Sequence, residues 1–238
     1  MLTKTIAPAL LSLFAWCLPC AAQTTVVDVK DDSTVHCPVR MSGTITFNES
    51  ESGGFHHAAL SSYALAATNL SNVPIVALVT YTLIGTSRGP LLGDDRQLDA
   101  FFSHDLEIAP SKTWTQTHKD AGEFNTQVHD GASTVAPSAS SKVIFVQFAD
   151  SSTCGDANDE RAVSLMNTRV ELLQTLKKWD DAAKLGESQF LKALAEEPTD
   201  RTGNASGILN DIREKEKEIG SAAAIDHIRS MLDVAARR

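Results

Sequence analysis

The stretch that most constrains the fold runs from Tyr63 to Gly85 and reads YALAATNLSNVPIVALVTYTLIG. Tyr63 and Leu65 alternate with small residues, as in a strand. Residues 75–84 are almost all apolar or β-branched, as expected of a strand buried against a second layer. Asn and Pro residues between them favour a turn, because Asn tolerates left-handed φ and Pro fixes its own φ. The stretch therefore predicts two core strands joined by a turn.

Short runs of the same character recur on both sides of this stretch and predict seven strands. They are separated by clusters of Gly, Pro, Asn, Asp and Ser, and no 3.6-residue period appears before residue 157. Short strands with turn signals at regular intervals are typical of two packed sheets, so residues 23–156 are predicted to form an all-β sandwich. The predicted strands are 24–30, 41–49, 62–69, 74–86, 98–109, 113–118 and 142–149.

Several motifs in this region follow one another in a recognisable order. Tyr63-x-Leu65 precedes Asn69-x-Ser71 and Pro74-Ile75-Val76, and Phe101-Phe102 and Ile108-Ala109-Pro110 come later. Over roughly residues 40–150 the chain thereby resembles the immunoglobulin-like sandwich modules of secreted bacterial proteins. The resemblance implies that a strand ending in Asn-x-Ser turns into the next core strand, and that the module is non-catalytic. It transfers no functional residue to this chain.

After residue 156 the pattern changes to that of helices. Gly186, Pro198 and Gly220 mark breaks, so residues 157–238 are predicted to form an antiparallel helical hairpin or small bundle behind the β domain. The fold class is therefore α+β by segregation. The first helix carries two adjacent apolar stripes, Val163, Met166, Val170 and Leu173, and Leu165, Leu172, Leu176 and Trp179.

Two stripes side by side give the first helix an apolar face that needs partners on more than one side. Leu172, Leu176 and Trp179 are therefore predicted to bind a protein partner or a second copy of the chain.

The first 22 residues are typical of an export signal. Lys4 precedes an apolar run over residues 6–19 that is too short to span a bilayer as a mature helix, and small residues precede Gln23. We expect cleavage before Gln23, a periplasmic or secreted location, and no integral membrane segment in the mature chain.

Only two cysteines, Cys37 and Cys154, remain after residues 1–22 are removed. An even number of cysteines in an oxidising compartment predicts a disulfide between them. The alternative is two separate thiols, one of which cross-links chains.

The β domain is the acidic part of the protein. Residues 23–156 hold fifteen Asp or Glu against seven Lys or Arg, whereas residues 157–238 hold fifteen against thirteen. An acidic surface repels phosphate backbones and anionic lipid, and no basic stripe interleaved with aromatic residues is present. Nucleic acid is therefore not an expected partner.

The chain lacks the common catalytic motifs. It has no GxSxG, HExxH, Walker or GxGxxG sequence, and the chain after cleavage before Gln23 would have no free thiol if Cys37 and Cys154 pair. An enzyme is therefore not the leading interpretation. A hydrolase whose acid and base residues are scattered along the chain stays open as a second alternative.

Histidines supply the first alternative, a zinc or copper module. Neutral imidazole is a common ligand of both metals, and His56-His57 is the candidate pair, although adjacent residues on a strand point to opposite faces and converge only through a turn. Asp94, Asp95 and Asp99 hint at calcium, but without EF-hand spacing. The six histidines of the β domain are His36, His56, His57, His104, His118 and His129.

These observations together predict an extracytoplasmic, non-enzymatic accessory module that needs no cofactor. A sheet edge or the helical face would recruit another exported protein.

Overall fold

The computed structural model describes residues 23–34, 36–52, 55–87, 92–127, 135–197 and 204–238. The predicted signal peptide and His129 lie outside these residues. Within them, eight strands precede four α-helices, so the segregated α+β class is confirmed. The strands are β1 Gln23–Asp31, β2 Val39–Ser52, β3 Phe55–Asn69, β4 Ile75–Gly85, β5 Leu92–Asp99, β6 Thr113–Gln127, β7 Ser138–Phe148 and β8 Thr153–Gly155.

All eight strands belong to one mixed sheet, in the order β5-β4-β7-β1-β2-β3-β6, with β8 paired to β7. The strand β1 joins the two halves of this sheet. Its first part pairs antiparallel with β2, from Gln23 to Asp28, and its last residues, from Val29 to Asp31, pair parallel with β7. The predicted two-sheet sandwich is therefore wrong: the sheet is a single curled layer, a half-barrel.

The curl brings the apolar faces of distant strands together. Register shifts between Thr46 and Phe47 in β2 and between Leu60 and Ser62 in β3 are the kind of irregularity that bends a strand and increases its twist. Two apolar clusters fill the concave side. One is built around Ile45, Phe47 and Leu65, and the other around Ile75, Leu78 and Val146.

The two strands expected from the stretch 63–85 are β3 and β4, but they do not pair with each other. Asn69 ends β3 and is fully buried. Its side-chain amide donates to the carbonyl oxygens of Val73 and Ile108, each at 2.8 Å, and its side-chain oxygen accepts from the Ser71 backbone at 2.9 Å. The Asn-x-Ser motif thus forms the corner from which the chain crosses to the other half of the sheet.

The strand predicted over 98–109 is the one that is most displaced. The strand β5 ends at Asp99, and the chain continues through a one-turn 3-10 helix, His104–Leu106, which we call the ridge. Phe102 leaves the sheet and lies in the core of the helical unit, 4% exposed. Phe101 packs against the same core. The two phenylalanines therefore join the sheet to the helices instead of extending a strand. The short strand β8 was not expected from the sequence.

The helices follow the predicted breaks. They are α1 Glu160–Lys184, α2 Glu187–Glu196, α3 Asn204–Ile219 and α4 Ser221–Ala235. Gly186 and Gly220 adopt φ of 118° and 98°, which L-residues with a side chain rarely reach, so the chain turns between helices at these points. None of the helices within the described ranges has the length and apolar character needed to cross a membrane.

The helix α1 contacts both the other helices and the sheet. Its N-terminal part places Ala162 and Leu165 against Ala77 and Phe145 on the convex face of the sheet. The helix α1 covers one face of β4, and the interior of the curled sheet covers the other. Both faces of β4 are therefore buried, which is why its sequence is apolar almost without interruption.

A buried ion pair joins α1 to the end of β5. Arg169 donates to both carboxylate oxygens of Asp99, at 2.7 and 3.0 Å, and also to Gln147. The side chains of Arg169 and Asp99 are only 4% and 5% exposed, and the guanidinium lies over the Phe101 ring. Buried charges need such complete pairing, because desolvation of an unpaired ion is costly.

The predicted disulfide is present. Cys37 and Cys154 are bonded across a sequence separation of 117 residues, with their Cα atoms 5.6 Å apart. The bond ties the connection between β1 and β2 to β8, just before α1 begins.

We expect removal of the disulfide to destabilise the protein markedly. The paired substitution of Cys37 and Cys154 by serine should lower the free energy of unfolding by about 2–5 kcal/mol, because the unfolded chain regains the entropy of a long open loop. Urea unfolding of the oxidised protein and of the variant measures the difference. Equal midpoints for the two proteins would contradict a stabilising role for the bond.

We also expect Arg169→Met to lower the free energy of unfolding by about 3–5 kcal/mol, because Asp99 then stays buried without its counter-ion. The double variant Arg169→Met with Asp99→Asn should regain most of that loss. Arg229→Met is the matched control, since Arg229 pairs with Asp180 but is 49% exposed, and its loss should cost less than about 1 kcal/mol. Urea midpoints that are similar for the two single variants would show that the buried pair is not special.

Candidate functional site

The structure does not bring the predicted metal ligands together. His56 and His57 follow one another on β3, where His56 is buried at 2% exposed and His57 is only half-buried. Successive residues of a strand point to opposite faces, and no turn intervenes. Among the described residues, no three His, Cys, Asp or Glu side chains are grouped so that they could hold a metal ion.

His56 instead meets two polar groups inside the curled sheet. Its Nε2 lies 3.4 Å from Oε1 of Glu49 on β2 and 3.3 Å from Oγ of Ser87, and the Ser87 backbone donates to the same Glu49 oxygen at 2.9 Å. The serine and the carboxylate both approach Nε2. In a nucleophile relay the acid would orient Nδ1 and leave Nε2 for the serine. The geometry is therefore that of a buried polar cluster that fixes the segment after β4.

The three aspartates that hinted at calcium each pair with an arginine. Asp94 accepts from Arg96 at 2.7 Å, Asp95 accepts from Arg161, and Asp99 accepts from Arg169. Asp94 and Asp95 are neighbours on β5 and so lie on opposite faces of the strand, and the three carboxylates do not surround one point. Burial of the phenol is the main cause that raises the pKa of Tyr63 to about 12, and the negative charge of Asp94 adds to the same shift.

The predicted interaction residues lie in the interior of the helical unit. Leu172, Leu176 and Trp179 are at most 1% exposed and pack in one cluster with Phe190, Leu209 and Ile228 of the other helices. The Trp179 indole donates to the carbonyl oxygen of Ala193 at 3.1 Å. The part of the apolar face of α1 around Leu172 is thus covered by the chain's own helices, and these three residues do not form a free surface. Val163 and Val170 of the other predicted stripe are 41% and 53% exposed.

A depression lies where the two parts of the protein meet. It is a cleft of about 660 Å³, within the usual range for binding pockets. One wall is the segment from Asp99 through the ridge, and the other is formed by α3 and α4. The cleft is lined by Asp99, Phe102, Ser103, His104, Asp105, Leu106, Gly207, Ile208, Asp211, His227, Ser230, Met231 and Val234.

The floor of the cleft is apolar and its rim is polar. Phe102 and Met231 are buried floor residues that belong to the helical core, and Ile208 packs beside them. The exposed Leu106, with 54% of its surface accessible, stands at the edge. An apolar floor with a few polar groups at the rim is the usual composition of a binding site.

Carboxylates dominate the charge of the cleft. Asp211 on α3 lies 3.1 Å from Nε2 of His227 on α4 and 3.1 Å from Nζ of Lys215. Asp99 is neutralised by Arg169. In the part of the chain that the structure describes, Asp105 has no ion-pair partner and no lysine or arginine lines the cleft.

A second group of charges fixes the ridge. Glu107 follows the ridge and contacts both His104 and Arg238, and the hydroxyl of Ser151 donates to the backbone carbonyl of Arg238. Burial acts to raise the pKa of Glu107, but the hydrogen bonds from His104 and Arg238 outweigh it, so that pKa lies below its usual value. The ridge is therefore held by Arg238, which follows α4, and Arg238 is itself bonded to Ser151 of the β domain.

A smaller hollow of about 180 Å³ lies on the far side of the ridge. Leu98, Ile108 and Trp114 give it an apolar wall, while Glu107 and Lys112 lie at its edge. Asp105 and Leu106 line both depressions, so the ridge separates two neighbouring hollows that share these residues.

Sequence reasoning missed this cleft entirely. Its residues come from one loop of the β domain and from two helices more than one hundred positions later, and neither part carries a motif. The Phe101-Phe102 pair was the one signal available, because two adjacent aromatic residues beside Asp99 are unusual for an exposed loop.

Comparisons of the chain with protein-family models, with curated proteins and with solved structures gave no match. The immunoglobulin-like resemblance has no support beyond its short motifs, and the single curled sheet contradicts the two-sheet sandwich that it implied.

The lowered pKa of Glu107 gives a prediction with a definite pH window. A carboxyl group whose pKa is lower in the folded state stabilises the protein above its usual pKa, 4.5, and loses that contribution as the pH falls through the folded value. Glu107→Gln should therefore lower the free energy of unfolding by about 1 kcal/mol at pH 7, because glutamine can keep part of the hydrogen bonding but not the charge that strengthens it.

The measurement is the difference in thermal midpoint between the wild-type protein and Glu107→Gln at pH 7, 5 and 3. The difference should be smaller at pH 3 than at pH 7, because the stabilising contribution of the ionised carboxyl is lost progressively as the pH falls below 4.5 towards the lowered pKa of Glu107. A difference of the same size at all three pH values would rule out an electrostatic anchor.

Proposed function

We propose that this protein is an extracytoplasmic, non-enzymatic binding module that holds a segment of a partner polypeptide in the cleft between the ridge and helices α3 and α4. The observation that carries the proposal is the cleft itself, with its apolar floor, polar rim and a volume of about 660 Å³. The Cys37–Cys154 disulfide supports the location, because such bonds persist in oxidising compartments.

The shape of the site favours a polypeptide over a compact small molecule. The cleft and the smaller hollow are adjacent across the ridge, so together they form an elongated surface with two apolar depressions. Leu106 is exposed between them, where an extended chain would cover it. Peptide segments commonly bind by placing alternate side chains into successive pockets.

Gly207 offers a direct test, because it lines the cleft from α3 and a Cβ atom at this position would meet nothing within 4 Å. Gly207→Phe would therefore fill the cleft without a clash at Cβ. Gly207→Ala is the matched control, since it adds one methyl group and should stabilise the helix by up to about 1 kcal/mol.

The experiment is selection of a displayed random-peptide library on the purified protein, followed by affinity measurement on the three proteins. Selected peptides should bind the wild type and Gly207→Ala alike, and at least about tenfold more weakly to Gly207→Phe, a loss of about 1.4 kcal/mol. Circular dichroism must show that both variants are folded. Failure to select peptides, or peptides that bind all three proteins equally, would reject the cleft as the binding site.

A further inference from the structure

The charges of the site specify the bound segment more closely than its shape does. Three carboxylates line the cleft, those of Asp99, Asp105 and Asp211, and within the described residues no lysine or arginine faces them from the lining. Arg169 already neutralises Asp99, and Lys215 and His227 share Asp211. The carboxylate left to interact with a ligand is therefore that of Asp105.

The position of Asp105 is what makes this charge informative. Asp105 is exposed at the top of the ridge and lines both the cleft and the smaller hollow. A segment that places one apolar side chain in each depression must cross the ridge beside this carboxylate. In an extended chain, alternate side chains point to the same side and successive residues are about 3.3 Å apart, so a crossing residue that faces the ridge lies two positions from each apolar anchor.

The position of the protein's own cations favours one side of the ridge for a ligand cation. Lys112 is exposed at the edge of the smaller hollow, and Glu107 beside it is occupied by His104 and Arg238. A ligand cation in the smaller hollow would therefore meet a like charge. On the cleft side it meets the carboxylate of Asp105.

We infer that the segment bound by this site carries a lysine or arginine between two apolar side chains, with the cation beside Asp105 on the cleft side of the ridge and an apolar residue in each hollow. This inference rests on the proposed function. It adds the chemical class of the partner sequence, which neither the volume nor the shape of the cleft determines.

The peptides selected on the wild-type protein provide the first test, because their sequences report the class directly. Peptides whose binding is lost in Gly207→Phe should share a Lys or Arg with an apolar residue two positions before it and another two positions after it. Acidic peptides, or apolar peptides without a cation, that still depend on the cleft would overturn the inference and leave the proposed function standing. If no selected peptide is sensitive to Gly207→Phe, both fall.

A double-mutant cycle provides the second test. Asp105→Asn should weaken the best Lys-containing peptide about three- to fivefold, as expected for a charge pair at an exposed rim, whereas the same peptide with norleucine in place of lysine should bind both proteins equally. Asp226→Asn is the matched control, since Asp226 is an exposed carboxylate of α4 outside the cleft lining. An effect of Asp226→Asn equal to that of Asp105→Asn would reduce the interaction to net charge and overturn the inference.

Discussion

The ion pair between Arg169 and Asp99 is the contact on which the arrangement of sheet and helices depends. It links α1 to the last residue of β5, and the same carboxylate accepts from the backbone nitrogen of Phe101 at 3.0 Å. The chain is thereby turned so that Phe102 enters the helical core instead of continuing the strand. Because two charges that are withdrawn from water are tolerated only in good mutual geometry, this pair permits few alternative orientations of the helices on the sheet.

The cleft is a product of that junction and belongs to neither part alone. Its floor is the helical core around Met231, and its rim is the ridge that follows β5. The ridge is positioned at one end by Asp99 and at the other by Glu107 with His104 and Arg238. A site of this kind is preorganised by groups that do not touch a ligand, which limits the entropy lost on binding.

Local signals in the sequence predicted the helices and most of the strands, but they missed β8 and misplaced the strand expected over 98–109. Features that depend on distant parts of the chain escaped them. The helix ends at Gly186 and Gly220 were predictable because a glycine break is written in the chain itself. The alternation of His56 and His57 across β3 was equally readable. The single sheet was not, because the inward and outward pattern of a strand is the same in a sandwich and in a curl, and only the double pairing of β1 distinguishes them. The helical periodicity predicted the apolar face around Leu172, but it did not tell that the chain's own helices cover this face. The cleft was not predictable because its residues lie far apart in the sequence.

The double pairing of β1 also dictates the order in which the protein is assembled. Val29 pairs with Ala139, so the strand made first is completed by one of the strands made last. Cys37 likewise waits for Cys154. Contacts of such high sequence separation form slowly, and a chain emerging from its N-terminus keeps one edge of β1 open until β7 has followed. Strand closure and disulfide formation thus become late and nearly simultaneous steps, and the open edge of β1 persists long after the first strands exist.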